Sequence, residues 1–356
     1  MTLIKVNNRG QKDNLGRRNL IINGAMQVAQ RGTQTGQGAS NAYSAVDRFQ
    51  ITSTGTNGRL TSSQSTDAPA GFANSLQLVC TTADTSIAAG ELTRIRHRIE
   101  GRNVQHIQKG TSGAKPVTLS YHAKASTGGV IIIEVQDNDN NRISSVAHTI
   151  TTSYQKFTHT FPADTTGVLD NDNNGSLTVS WVLHAGSDYT SGTLGSAFTT
   201  GVNANKAVGQ TFSIFAATSR QLNLAGVQLE VGSTATEFEH RSFAEELQAC
   251  QRYYQKSYNY ADAPGSNVNT QHQARIDGQG IFFFERVYPV RMRTQPTLTT
   301  YSNGSSGASG KMYNSSTSSD IDETVASYEN GHLVHNASSV SSGHNIGYHY
   351  TADAEL

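Results

Sequence analysis

Glu134 is the acidic residue whose setting most resembles that of a catalytic carboxylate, because it lies between Ile133 and Val135 in an apolar stretch. Glycoside hydrolysis needs a pair of carboxyl groups whose separation is set by the fold, so the sequence leaves this chemistry open. An ion-paired or edge-facing Glu134 is the favoured interpretation. The chain has no GxSxG elbow, HExxH helix, CxxC pair or glycine-rich phosphate loop. We therefore expect a protein that is not an enzyme.

Three arginines form the second chemical pattern. Arg94, Arg96 and Arg98 alternate with apolar or aromatic residues, which places three guanidinium groups on one face of a strand. Such a row can hold a phosphate or an acidic sugar through paired hydrogen bonds. Glu91 and Glu100 flank the row, and a ladder of ion pairs within the chain is the favoured interpretation.

Two stretches rich in Asp and Asn, 137–141 and 170–175, resemble the start of a calcium loop. An EF-hand needs a bidentate Glu at its twelfth position, and counting from Asp170 that position holds Trp181. Hairpin turns explain both stretches without a metal. Four histidines near the C-terminus are interpreted as surface residues and not as metal ligands: His332, His335, His344 and His349. We expect no cofactor and keep calcium as an alternative.

The composition argues against several function classes. Lys and Arg number 27 and Asp and Glu number 27 in the 356 residues, so the formal net charge is zero. Proteins that bind nucleic acid or anionic membranes usually carry a basic excess, so neither partner is expected. Cys80 and Cys250 are too few for a framework of several disulfides. The sequence lacks both the apolar segment of a secretory signal and the ~18-residue apolar run of a membrane span.

Alternating apolar and polar residues predict most elements between 20 and 240. Sets such as Leu76, Leu78 and Cys80 would line one face of a strand. The apolar run 130–135 indicates a strand covered on both faces. Around Gly226 the apolar positions change from even to odd, as a β-bulge requires. Roughly eight strands with long polar loops predict a mainly β fold, a jelly-roll β-sandwich over 21–240.

A connecting helix is predicted within 241–258. Ser242 and Glu245 form a capping box at its start. One apolar stripe follows at helical spacing, and a helix this short must bury such a stripe; its members are Phe243, Leu247, Cys250 and Tyr254. The stripe packs either on its own sandwich, which is slightly favoured, or in a subunit interface.

The two ends of the chain differ from the sandwich region. Residues 259–356 predict a β-rich domain with a strand at 281–284, and the Gly/Ser-rich stretch 302–320 reads in isolation as a flexible linker. Residues 1–20 read as a polar arm with a basic excess. Its candidate docking residues are Leu3, Lys5, Arg9, Lys12, Arg17 and Arg18.

An ordered series of segments resembles the tail-fibre and related virion structural proteins of tailed bacteriophages. The series opens with RNLIINGAMQVAQRG at 18–32. The later segments follow in the expected order: VDRF at 46–49, RIEG at 98–101, LEVG at 229–232, FEHRS at 238–242, CQRYY at 250–254 and YPVRMRTQPT at 288–297. The resemblance covers most of 18–300.

This resemblance implies a non-enzymatic component of a virion, commonly trimeric, with a jelly roll like that of a carbohydrate-binding module. The arm would dock to other virion proteins, the helix stripe would pack around a three-fold axis, and the C-terminal domain would point outward as a tip. Weak glycan sites repeated on a trimer would gain avidity. The candidate contacts with a host cell-surface glycan are Trp181, Tyr189, Tyr348 and Tyr350, although alternation favours a core position for Trp181.

Two alternatives to a receptor-binding tail fibre stay open. A head fibre or spike that decorates the capsid would share these features and bind no receptor. A sugar-binding module of a secreted protein is less favoured, because the sequence lacks a signal peptide and a recognisable catalytic domain.

Overall fold

The computed structural model describes residues 18–268, 272–276, 280–304, 306–338 and 340–356. The architecture is mainly β. Between residues 34 and 231 the strands are β1 (Gln34–Gln37), β2 (Ala42–Tyr43), β3 (Gln50–Thr54), β4 (Arg59–Ser65), β5 (Ser75–Thr82), β6 (Leu92–Glu100), β7 (Val117–Ala125), β8 (Gly129–Asp137), β9 (Arg142–Ile150), β10 (Gln155–Phe161), β11 (Gly175–Ala185), β12 (Thr199–Thr200) and β13 (Gln221–Val231). A short helix α1 (Ser187–Thr190) follows β11, and 3-10 turns lie at Gly101–Asn103, Gln105–Ile107 and Asn203–Asn205.

These strands form two antiparallel sheets, which confirms the predicted jelly-roll β-sandwich. The six-stranded sheet has the order β1-β4-β5-β13-β7-β10, and the seven-stranded sheet has the order β12-β9-β8-β11-β6-β3-β2. The chain crosses repeatedly from one sheet to the other, so consecutive strands often face each other across the core. The sandwich begins before β1, because the amide of Leu20 donates to the carbonyl of Leu229 in β13.

The core lies between the two sheets, where the predicted alternation is confirmed. Leu76, Leu78 and Cys80 of β5 are buried in it. Trp181 lies at its centre, with its ring 5.7 Å from that of Tyr121 and 6.5 Å from that of Phe49. Each fully buried large apolar side chain contributes about 1.5–3 kcal/mol to folding, so this alternation supplies much of the driving force.

The strand predicted to be covered on both faces is β8. Ile131, Ile133 and Val135 point into the core. Ile132, on the other face, packs with Val182 in a second apolar cluster. The segment that follows β11 covers that cluster, with Tyr189 of α1 and Ala207 packed on it. The predicted bulge is also present: Gly226 has a φ of 59°, and the pairing of β13 with β7 shifts register between Ala225 and Gln228.

Two histidines in the sandwich make its stability dependent on pH. Burial, with His159 adding to the effect, lowers the pKa of His148 to about 4. Burial also lowers the pKa of His97 well below its usual value. Histidine in an unfolded chain has a pKa of about 6.5, so the unfolded state binds more protons than the folded state between about pH 4 and 6.5. Stability is therefore complete above this window and is lost as the pH falls through it.

Replacing His148 by Gln is expected to weaken this acid sensitivity. His148→Gln should lose less of its Tm between pH 7 and pH 4.5 than the unmodified protein, because one proton uptake on unfolding has been removed. The exposed His240 offers a matched control, and His240→Gln should melt like the parent at both pH values. Thermal melts followed by circular dichroism check this. An equal drop in Tm for His148→Gln and the parent would contradict it.

The connecting helix α2 spans Phe243–Gln251 and begins with the predicted capping box. The amide of Glu245 donates to the Ser242 hydroxyl, and the amide of Ser242 donates to the Glu245 carboxylate at 3.0 Å. The helix also buries Glu246, which accepts hydrogen bonds from the amide of Asn23 and from Arg241. This links α2 to the start of the sandwich.

A second β structure follows α2. Its strands are β14 (Tyr254–Lys256), β15 (His272–Arg275), β16 (Phe283–Val287), β17 (Thr297–Tyr301), β18 (Lys311–Asn314), β19 (Ser319–Tyr328), β20 (Gly331–Asn336) and β21 (Asn345–Asp353). The main path runs β14-β21-β18-β19-β20-β16, and β15 and β17 also pair with β21. A separate apolar core forms here around Met312, Val334 and Tyr348. The strand predicted at 281–284 corresponds to β16.

The stretch 302–320 is not a linker, and that prediction is wrong in its described part. It contains β18, where Met312 is fully buried and pairs with Ile321 of β19. The serines that suggested flexibility instead stabilise the loop, because the hydroxyls of Ser302 and Ser306 donate hydrogen bonds to the carboxylate of Asp320. Polar side chains that pair with each other can order a loop that composition assigns to a linker.

Candidate functional site

A polar cleft of about 670 Å³ lies between the sandwich and the C-terminal β structure. Four separate parts of the chain line it: the end of the opening segment, the β14 region, β17 and β21. Its lining residues are Arg31, Thr33, Gln34, Tyr254, Ala263, Pro264, Thr297, Thr299, Tyr301, Thr351 and Asp353. This is the size expected of a small-ligand site.

The floor of the cleft is built by two paired strands. Thr297, Thr299 and Tyr301 of β17 occupy alternate positions and therefore share one face. The register places Thr297 opposite Asp353 and Thr299 opposite Thr351 of β21. The floor thus presents a row of hydroxyl groups beside one carboxylate and one tyrosine ring.

Arg31 forms the wall nearest the sandwich. Its guanidinium carbon lies 3.7 Å from the ring centroid of Tyr254, and its nitrogens lie 3.4 Å from Asp47, 3.4 Å from Asp353 and 3.1 Å from Glu355. Burial opposes the charge of Arg31, but Glu355, Asp47 and Asp353 outweigh burial and raise the pKa of the guanidinium. Arg31 is therefore a fixed cation with a fixed orientation.

Asp353 is the exposed carboxylate of the cleft. Its side chain is 43% exposed, while the floor threonines and Gln34 offer both donors and acceptors beside it. Sugar hydroxyls donate and accept hydrogen bonds at once, and a tyrosine ring can lie against the apolar face of a sugar. The cleft therefore has the functional groups that a carbohydrate ligand needs.

A buried charge network lies beneath the cleft and joins the two β structures. The carboxylate of Glu355 pairs with Arg48 as well as with Arg31. Arg48 also donates to the carbonyl of Arg98 at 2.8 Å, and its guanidinium carbon lies 3.5 Å from the ring of Tyr253. Burial opposes the charge of Arg48, but Glu355 outweighs it and raises the pKa of the guanidinium.

Three of the four predicted glycan contacts are wrong, because their side chains are buried. Trp181 is 1% exposed in the sandwich core. Tyr348 and Tyr350 point into the C-terminal core, whereas Thr351 and Asp353, on the opposite face of the same strand, line the cleft. Tyr189 is half-buried against the apolar cluster on the outer face of β8 and β11, away from the cleft lining.

The predicted helix stripe is only partly available for a subunit interface. Phe243 is 44% exposed and Leu247 is half-buried. Cys250 and Tyr254 are buried within their own chain, so their assignment to an interface between subunits is wrong. Tyr254 belongs to β14, which pairs with β21, and its ring supports Arg31.

Of the candidate docking residues, only Arg18 lies within the described part of the chain. Leu3, Lys5, Arg9, Lys12 and Arg17 lie outside it. The amide of Arg18 donates to Glu239 at 3.0 Å, and its guanidinium donates to the Thr236 hydroxyl at 2.5 Å. Arg18 thus fastens the start of the sandwich to the segment after β13.

The arginine row lies on the outer face of the seven-stranded sheet, opposite the buried Ile95, His97 and Ile99. Arg94 lies 3.3 Å from Glu134, which confirms the ion-paired interpretation of that carboxylate. The predicted ladder with Glu91 and Glu100 is wrong. Glu91 pairs with His184 at 2.7 Å and Glu100 pairs with Arg252 at 2.8 Å, because Glu91 directly precedes β6 and Glu100 ends it, where other groups reach them.

Carboxylates in the two stretches considered for calcium form ion pairs and hydrogen bonds with other groups of the chain. The ammonium of Lys109 lies 2.5 Å from Asp137 and 3.0 Å from Asp164, and the amide of Asp170 donates to Asp139. Within the described ranges, no group of three or more His, Cys, Asp or Glu residues is placed to hold a metal ion.

The surface interpretation of the four histidines is wrong for two of them. His332 is buried against Tyr288 and Tyr348, and His349 is buried with its ring 3.9 Å from that of Tyr258. His332 shares the core-facing side of β20 with the buried Val334, and His349 belongs to β21, which is covered on both faces. His335 and His344 are partly exposed.

The sequence analysis missed Arg31, Asp353, Tyr301 and the floor threonines. Arg31 lies within the segment 18–32 used for the family resemblance, and this was the one signal that could have drawn attention to it. Among the described helices, none has the length and apolar character needed to cross a membrane.

No family model and no curated protein sequence matches the chain. Among solved structures, the enzymatically active domain of tailspike protein 4 from bacteriophage CBA120 is similar, with 11% identity and a TM-score of 0.33 over 60% of this chain and 21% of that chain. A family 11 carbohydrate-binding module from a Clostridium thermocellum cellulase has 9% identity and a TM-score of 0.29 over 56% and 99%. The N-terminal cellulose-binding domain of Cellulomonas fimi β-1,4-glucanase C has 17% identity and a TM-score of 0.28 over 52% and 90%. These values are too low for any inference about ligand or partner.

Proposed function

We propose that this chain is a non-enzymatic component of a bacteriophage particle, a trimeric tail fibre that attaches to carbohydrate on the host cell surface. The observation that carries the binding role is the polar cleft, where Arg31, Asp353 and a row of floor threonines surround about 670 Å³. The virion role rests on the ordered sequence resemblance. Residues 1–17 are proposed to dock to other virion proteins.

Binding without cleavage is supported by the number of carboxylates that line the cleft. Hydrolysis of a glycoside needs one carboxylic acid that is held protonated beside a second, ionised carboxylate. Asp353 is the one carboxylate among the described residues that line the cleft. Glu355 lies beneath the cleft in ion pairs with Arg31 and Arg48; burial raises its pKa, but its side chain is 4% exposed and is not part of the lining. The arrangement suits recognition of hydroxyl groups more than proton donation to a leaving group.

The trimer is proposed on the family resemblance and on the exposed end of α2. Phe243 packs on Tyr260 in edge-to-face geometry at 5.2 Å and keeps nearly half of its surface exposed. Sedimentation of the purified chain at micromolar concentration should give a trimer, and Phe243→Ser should shift it towards monomer. A monomer for the unmodified chain would contradict the proposed assembly.

An array of bacterial surface oligosaccharides is the direct test of the proposed function. The purified chain should bind a subset of the array and block adsorption of the phage to its host, and the bound oligosaccharides should keep their length over many hours. If the chain neither binds the array nor blocks adsorption, a capsid-decorating role without a receptor is favoured. Release of new reducing ends, abolished in Asp353→Asn or Glu134→Gln, would overturn the non-enzymatic assignment.

A further inference from the structure

The outer face of the seven-stranded sheet carries an excess of positive charge that the chain does not neutralise. Arg94, Arg96 and Arg98 share this face, and Lys206 lies near enough to interact electrostatically with Arg94 and with Glu134. Within the described part of the chain, Glu134 is the one carboxylate that forms an ion pair with any of these four cations. Three positive charges are therefore left over in a small area.

The register of the sheet shows how these groups are arranged. Ser180 of β11 lies between Arg96 of β6 on one side and Glu134 of β8 on the other. Gln50 of β3 lies on the far side of Arg96, and its side-chain oxygen accepts from Arg96 at 3.3 Å. The result is a polar row across four strands, with a guanidinium group near its middle.

Several buried atoms in this row have no partner. The hydroxyl of Ser180 and the second carboxylate oxygen of Glu134 are fully buried and make no hydrogen bond. The Nε atoms of Arg94, Arg96 and Arg98 are likewise unpartnered. Buried polar groups are normally satisfied, so three unpartnered N–H donors on one face indicate a place for an acceptor, whereas the free carboxylate oxygen of Glu134 would repel an anion placed beside it.

The neighbouring arginines also repel one another. Burial, together with the neighbouring Arg94 and Arg98, lowers the pKa of Arg96 to about 9. A guanidinium is ordinarily charged at every physiological pH, so this direction reflects first the burial of the cation and then its repulsion by two like charges. An anion placed among them would relieve the crowding and supply acceptors for the free N–H groups.

We infer that this arginine face binds the acidic group of a surface glycan, a carboxylate or a phosphate. The half-buried Tyr189 of α1 packs on the same outer face of the sheet, against the cluster of Ile132 and Val182, and adds an aromatic ring to that face. The inference deepens the proposed function, since it names acidic glycans as the class of ligand. It concerns a face of the sandwich that is separate from the cleft lining.

The test compares an acidic and a neutral oligosaccharide of equal length. Galacturonate oligomers and galactose oligomers are titrated into the full chain by calorimetry, with inorganic phosphate as a third probe. Galacturonate should bind, and Arg96→Gln or Arg98→Gln should weaken that binding roughly tenfold to hundredfold, as expected for the loss of a charged hydrogen bond. Exposed Arg102 on a neighbouring turn is the matched control, and Arg102→Gln should bind galacturonate like the parent.

Binding of phosphate without binding of galacturonate, lost in Arg96→Gln and Arg98→Gln, would identify phosphate as the acidic group that the row recognises.

A stability measurement separates this role from a structural one. Because Arg96 is crowded by like charges, Arg96→Gln should leave the Tm unchanged or raise it, as happens when a residue is kept for binding at a cost in stability. A fall of several degrees in Tm, or galacturonate and phosphate affinities that do not change in Arg96→Gln and Arg98→Gln, would overturn the inference. If neither oligosaccharide binds but phosphate does so through the row, the anion site stands with phosphate as its acidic group, and the array of surface oligosaccharides decides the glycan function separately.

Discussion

Replacing Glu355 by Gln is expected to lower the free energy of unfolding by about 3–5 kcal/mol, the range found when one partner of a buried ion pair is removed. The Glu355 side chain is 4% exposed and pairs with Arg48, which is 1% exposed, and with Arg31. Arg31 would keep Asp47 and Asp353 as partners. Arg48 would lose the carboxylate that balances its charge, and a guanidinium in that position has no access to water.

The matched control for this variant is the exposed pair of Arg291 with Glu329, whose charged atoms lie 2.5 Å apart. Glu329→Gln should cost less than ~1 kcal/mol, because exposed ion pairs contribute little. Urea unfolding followed by fluorescence of Trp181, the single tryptophan, reports on the sandwich, and circular dichroism reports on both β structures. A loss below ~1 kcal/mol for Glu355→Gln would mean that the network beneath the cleft does not hold the two structures together.

Filling the cleft is expected to have the largest effect on glycan binding. Thr299 lies in the middle of the floor, with Thr297 and Tyr301 on either side, so a tryptophan there would occupy the space of a sugar ring. Thr299→Trp should reduce the affinity for any oligosaccharide that binds in the cleft at least tenfold. A strand tolerates an aromatic residue well, so the variant should fold.

The control for Thr299→Trp is the same substitution at an exposed strand position outside the cleft. Thr324 lies on β19 outside the cleft, and Thr324→Trp should bind like the parent protein. Affinities are measured by calorimetry with the oligosaccharides that score on the array. Equal affinities for Thr299→Trp and the parent would exclude the cleft as the binding site while leaving open a site elsewhere on the chain.

The elements that follow from local rules were predictable from the sequence. The alternation in β5 and β6, the bulge at Gly226 and the capping box of α2 each depend on residues close together in the chain. The covered face of β8 could be read from its apolar run. By contrast, the stretch 302–320 became ordered through pairs such as Ser302 with Asp320, which composition does not reveal.

The cleft could not be predicted because its parts are far apart in sequence. Arg31 and Asp353 are brought together by the packing of the C-terminal structure on the sandwich, and no spacing rule links them. In β21 the prediction selected Tyr348 and Tyr350, which face the core, and overlooked Thr351 and Asp353 on the other face. Alternation separates the two faces of a strand, but it does not tell which face another part of the chain will cover.

Methyl NMR of threonine gives the most direct test of glycan binding in the cleft. The methyl groups of Thr297, Thr299 and Thr351 lie in its floor, whereas those of Thr118, Thr158 and Thr160 lie on the six-stranded sheet and serve as internal references. On addition of an array-positive oligosaccharide to the full chain, the three floor resonances should shift in a saturable way while the reference resonances stay in place. Unchanged floor resonances at millimolar oligosaccharide, or shifts confined to the reference threonines, would contradict the account.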